Sequence, residues 1–139
     1  MRRARRWLLA AILPVAAGLL LAENLGYVPD PKWQPPLPAV ARANPLQPTA
    51  EIVGGGRKLF ARNCAQCHGE DGSGLKHAAD LQLPVVQQQT DGALWWKISN
   101  GNPRRGMPSF SGLPELQRWQ LVLYLRTLGA AGQDQEQRR

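Results

Sequence analysis

Several residue types are nearly missing from this 139-residue chain. It has two cysteines, two histidines, two phenylalanines and two tyrosines, and apart from the initiator its only methionine is Met107. Acidic residues are also few, ten against 17 Lys and Arg, for a net charge of +7. Segments alternating apolar and polar residues over strand length are absent, as is any internal repeat, so a sheet is not expected and an all-α chain is. The positive charge suggests a nucleic-acid binder until its placement is read. Arg2, Arg3, Arg5 and Arg6 account for four of the seven net charges. No basic stripe interleaved with aromatics follows, so nucleic acid is not an expected partner.

Both cysteines fall in one pentapeptide, Cys64-Ala65-Gln66-Cys67-His68. C-x-x-C-H is the signature of covalent c-type haem attachment. Thiols at i and i+3 can each add to one haem vinyl group, and the adjacent His68 is then held against one face of the iron. A thioredoxin-like dithiol would need a strand-helix-strand context, which the flanks lack. A zinc site needs four ligands, and beyond these three only His77 remains. With both thiols used, no disulfide is available to staple so small a core, and a covalent cofactor can take that role.

Around this motif the chain divides into zones. Residues 1–22 combine the basic cluster with an unbroken apolar stretch from Trp7 to Ala22, as an export signal or an uncleaved membrane anchor requires. Its sixteen residues fall just short of the roughly 17–25 of a spanning helix, and Leu25 to Val28 could extend it. Cleavage after Ala22 puts Leu20 at the −3 position, and cleavage after Ala17 leaves an apolar stub; the anchor, basic end cytoplasmic, is the favoured reading. Residues 23–50 carry Pro29, Pro31, Pro35, Pro36, Pro38, Pro45 and Pro48 and read as an extended linker, with Trp33 meeting either the membrane interface or the domain. Residues 51–129 read as the folded domain, and residues 130–139 as a polar, disordered tail.

Within the domain, Ile52, Gly56, Leu59, Phe60 and Asn63 are spaced as one helix face leading into the motif. Gly69 to Gly74 is loop. Thr90-Asp91 can cap a helix whose Leu94, Trp95 and Ile98 share a face, ended by Asn100-Gly101. Gly101 to Gly112 reads as a long loop, and Pro114-Glu115 open a last helix that stops at Gly129, with Leu121, Tyr124, Leu125 and Leu128 on one face.

Helix, C-x-x-C-H, irregular middle, a lone methionine in a glycine-proline loop and a closing helix together resemble a class I cytochrome c. The resemblance covers most of residues 51–129. It implies that Gly56 and Phe60, eight and four residues before Cys64, meet the last helix at Tyr124, Leu121 and Leu125. It implies that Gly106-Met107-Pro108 supplies the sixth iron ligand through Met107; His77 is the rival donor, and an open position the third alternative. It further suggests a proline carbonyl orienting His68, for which Pro84 is a counterpart, and an indole N–H from Trp95 or Trp96 directed at a haem propionate, with plain core packing as the other reading.

These residues lead to one expectation. The chain is an all-α monohaem cytochrome c, with one haem c held by Cys64 and Cys67 and its iron ligated by His68 and Met107. Such a protein is an electron carrier rather than an enzyme, moving single electrons on the periplasmic side of a bacterial inner membrane, whether anchored there or soluble after cleavage. Its partners would be redox proteins, such as a periplasmic dehydrogenase and a terminal oxidase or other cytochrome. Arg57, Lys58, Arg62, Lys76, Lys97, Arg104 and Arg105 could rim the haem edge for docking. The competing readings are a haem gas sensor or enzyme with a displaceable ligand, and a cytochrome subunit of a larger membrane oxidoreductase.

Overall fold

Threonine and proline start the helices of this protein, and glycine ends two of them. The computed structural model describes residues 28–75 and 77–137. Its elements in order are α1 (Leu37–Val40), α2 (Ala50–Asn63), α3 (Ala65–His68), α4 (Pro84–Gln87), α5 (Asp91–Asn100), a 3-10 turn (Pro103–Arg105) and α6 (Glu115–Gln137). Among the described residues there is no strand, only an isolated bridge between Asn102 and Met107. The all-α expectation holds.

The caps explain the boundaries. Thr49 Oγ1 accepts from the Ile52 N–H at 3.3 Å and begins α2. Thr90 Oγ1 accepts from the Ala93 N–H at 3.1 Å and begins α5, as its position before Asp91 predicts. Gly101, at φ +62, ends α5 where a residue with a Cβ would be strained.

Two long helices organise the rest. α2 crosses α6 with Gly56 against the backbone of Gln120. A Cβ on Gly56 would collide with the Gln120 carbonyl oxygen and stand 2.8 Å from its carbon and 3.0 Å from Tyr124 Cβ. Phe60, 1% exposed, sits one turn on, with its ring centroid 5.2 Å from that of Tyr124 and tilted by 55°. Burying Phe60 stabilises by about 1.5–3 kcal/mol, and the aromatic pair adds about 0.5–1.5 kcal/mol. Leu121, Val122 and Leu125 of α6 complete the seam, with Leu94 and Ile98 of α5 in the same core. The expected helix crossing at Gly56 is present.

Two expectations need correction. The last helix does not stop at Gly129 but continues to Gln137, so residues 130–137 are helical rather than a disordered tail. Gly129 is buried against the Gln87 side chain, which bonds the carbonyls of Leu81 and Leu125. Its lack of a side chain answers a packing demand rather than marking a stop. Second, residues 28–50 are not an extended tether. Pro36 precedes the helical turn α1, whose Ala39 packs so closely on α5 that a Cβ on Gly92 would run into the Ala39 carbonyl. Thr90 Oγ1 donates to Val40 O at 2.8 Å, Asn44 Nδ2 donates to Trp119 O at 3.2 Å, and Arg42 pairs with Glu115. The Arg42 guanidinium also lies 4.1 Å above Trp95, which is stacked on the fully buried Trp119 at 5.3 Å. Prolines shape this segment into turns that follow the domain surface. Residues 1–27, including the expected signal or anchor and the start of the linker, lie outside the described residues. Among those described, no helix is long and apolar enough to cross a membrane.

Glycine substitutions in α2 separate the crossing from helix propensity. Gly56→Ala should destabilise the haem-loaded protein by about 2 kcal/mol or more in denaturant titrations, because neither backbone can retreat. Gly54→Ala, where a Cβ meets nothing within 4 Å, should instead stabilise it by about 0.5–1 kcal/mol.

Candidate functional site

A cavity of about 890 Å³ opens beside the α2–α6 seam. Its apolar wall is Phe60, Leu94, Ile98, Leu121 and Leu125, contributed by three helices. Cys64, Cys67, His68 and Met107 all line it, so the C-x-x-C-H residues and the methionine that the resemblance pointed to converge on one space. Its size is within the range of small-molecule and cofactor pockets.

The cysteine motif reaches the cavity because α2 ends there. The Cys64 N–H closes α2 on Phe60 O at 2.8 Å, and α3 turns the chain at once so that His68 N bonds Cys64 O at 2.9 Å. Gly69 at φ +80, Gly72 at φ +79 and Gly74 at φ +83 then fold the loop back, with Gly74 N on His68 O and Leu75 N on Cys67 O. The thiols differ. Cys67 is exposed, whereas burial, with a smaller contribution from the neighbouring Cys67, pushes the Cys64 thiol up to about 12. Among the described residues no strand flanks the motif, so the strand-helix-strand context of a thioredoxin-like dithiol is missing.

His68 is held as a metal ligand requires. Its Nδ1 lies 2.9 Å from Ala79 O. A carbonyl can only accept, so Nδ1 carries the proton and Nε2 keeps its lone pair. Burial lowers the imidazole's pKa, against a smaller upward pull from the Ala79 bond, and favours the neutral, ligating form. The orienting carbonyl is Ala79, not Pro84. Pro84 is the first residue of α4, and its own carbonyl accepts from Gln88 N within that turn. His77, the rival donor, also lines the cavity, two residues from the carbonyl that holds His68.

Met107 arrives on a loop fastened at both ends. Asn102 N donates to Met107 O at 2.8 Å and Met107 N donates to Asn102 O at 3.1 Å. Farther on, Ser109 Oγ donates to Ser99 O at 2.6 Å and Phe110 N to Ile98 O at 3.1 Å. Gly101 makes this possible, since a Cβ there would stand 2.7 Å from Met107 O and collide with the Pro108 carbonyl.

Donor chemistry and shape therefore fit a covalently held haem: two thiols, a neutral imidazole, a thioether and an apolar wall. Residues 53–125, more than half of the chain, match the family described as cytochrome c oxidase, cbb3-type, subunit III. The chain belongs to this family. A cytochrome c domain of this kind carries covalently bound haem c and serves electron transfer.

Other expected residues fall differently around the cytochrome's cavity. Lys97, Arg104 and Arg105 line it, whereas Arg57, Lys58 and Arg62 are exposed on α2 outside the lining and Lys76 is outside the described residues. Neither Trp95 nor Trp96 lines it; Trp95 belongs to the Trp119 stack, so core packing is its role. The indole at the cavity is Trp33, from the segment read as linker. Ala79 and Asn102 escaped the sequence reading because the bonds that place His68 and Met107 are made by their backbones.

The loop makes a direct prediction through its exposed Arg104-Arg105 pair. Gly101→Ala should raise the rate of tryptic cleavage there about tenfold, because the loop can no longer close on α5. Gly106→Ala, where φ is +89 but space is open, carries backbone strain without a collision and should raise the rate less, by about fivefold.

Proposed function

We propose that this cytochrome binds a single haem c, attached through Cys64 and Cys67 and ligated by His68 and Met107, and that it passes single electrons between redox proteins. The observation that carries this reading is the convergence of C-x-x-C-H and Met107, from separate segments of the chain, on one apolar cavity. Haem c supplies a one-electron couple at its iron when bound.

The chain's residues tune and guard that couple. His68 is oriented by Ala79 O, so its donor nitrogen is fixed before ligation. Met107 offers a soft sulfur, which favours ferrous iron and raises the potential relative to a second histidine. The leucine, isoleucine and phenylalanine wall excludes water and disfavours the extra charge of the ferric form, in the same direction. Held by both His68 and Met107, the iron would have no place left for oxygen or a substrate, so outer-sphere transfer is the chemistry that fits. A fixed ligand set also keeps reorganisation small as the electron arrives and leaves.

Lys97, Arg104 and Arg105 give the cavity mouth a positive edge, suited to an acidic docking face on the partner. The family supports a partner in, or membership of, a membrane oxidase complex. We place the domain on the periplasmic side of a bacterial inner membrane, held by residues 7–22 as an uncleaved anchor.

Two experiments test these statements. Met107→Ala should lower the reduction potential by on the order of 0.1 V and let the ferrous protein bind carbon monoxide. An unchanged potential and spectrum would remove Met107 from the iron. In cell fractionation, membranes washed in high salt should retain the chain, and release of a fragment beginning near Gly18 or Glu23 would establish cleavage instead.

A further inference from the structure

The residues that precede the family domain form a turn against the methionine loop. Asp30 closes that turn on itself, its Oδ1 accepting from Lys32 N at 3.0 Å while Trp33 N donates to Asp30 O at 3.1 Å. Its other oxygen, Oδ2, accepts from Asn102 Nδ2 at 2.8 Å. Asn102 is buried, and its backbone makes both hydrogen bonds of the bridge to Met107. Asn102 is thus tied on two sides, its side-chain Nδ2 to Asp30 and its main chain to Met107, with its carbonyl also accepting from Arg105 N at 2.9 Å. Val28, Asp30 and Trp33 line the haem cavity together with Met107, and Trp33 is covered by Lys97, whose Nζ lies 4.7 Å from the ring.

We propose that residues 28–33 are a strap that holds the Met107 loop closed, with Asp30 as a positioning residue acting on Met107 through Asn102. The strap lies outside residues 53–125, the part of the chain that matches the family. The physical reason is that a loop with exposed Pro103, Arg104 and Arg105 has little apolar burial to keep it shut, so one well-made hydrogen bond to a buried amide has leverage on it. The arginines, opposite in charge to Asp30, favour the same closed arrangement. Opening the loop would withdraw the thioether, so the strap sets how often the iron is accessible. The proposal rests on Met107 being the sixth ligand.

The test uses the full haem-loaded chain in its ferric form, with imidazole as the competing ligand and the sulfur-to-iron charge-transfer band as a second readout. Asp30→Ala should tighten imidazole binding about fivefold and weaken the band, since the closed loop loses one hydrogen bond's worth of preference. Asn102→Asp, which sets two carboxylates against each other, should do the same. The double variant Asp30→Asn with Asn102→Asp exchanges donor and acceptor and should restore both readouts toward the original. Imidazole affinity in Asp30→Ala equal to that of the unaltered protein would overturn the strap, as would failure of the exchange to restore it. An unaltered protein without the band would overturn Met107 ligation itself and the strap with it.

Discussion

Backbone contact between α2 and α6 at Gly56 is the constraint on which the other features depend. With no side chain between Gly56 and Gln120, the two axes approach closely enough for Phe60 to reach Tyr124 and for Leu121 and Leu125 to face the same space. That approach fixes where α2 ends. Its end carries Cys64, so the crossing determines which wall the haem-attaching residues occupy. A bulkier residue at Gly56 would push the helices apart and move the motif relative to the apolar wall that makes its haem pocket.

A second level of organisation concerns backbone carbonyls and amides at the two proposed iron ligands, His68 and Met107. Ala79 sets the tautomer of His68, and Asn102 brackets Met107 with two backbone bonds. The protein therefore holds each of these two residues first by the main chain of a neighbouring loop, with the Asp30–Asn102 side-chain bond added at Met107. Main-chain fixing of this kind is available in a small domain without disulfides. The apolar wall supplies the low dielectric in which these few polar contacts have their effect.

Most of this arrangement was legible in the residues, for reasons that can be stated. C-x-x-C-H has a rigid spacing tied to one chemistry, Met107 was conspicuous through the scarcity of methionine, and Thr90 and Gly101 act by local geometry. Gly56 and Phe60 were readable only through the family resemblance, because nothing near them in sequence indicates what they meet. What escaped depended on distant partners. Prolines at 29–48 suggest an extended linker, not turns that fold onto α5, because the partners that hold the segment lie far along the chain, Arg42 finding Glu115 and Trp95. Gly129 had the residue type of a helix stop but the surroundings of a packing site against Gln87. Ala79 replaced Pro84 because a backbone acceptor can be any residue, so composition carries no trace of it.

The central claim is that protein ligands close both faces of one haem in this cavity, which makes the domain an electron carrier. The most direct test is the absorption spectrum of the purified ferrous protein before and after carbon monoxide. A sharp low-spin spectrum that the gas leaves unchanged is the predicted result. A prompt shift on adding the gas would show an accessible iron and contradict the account.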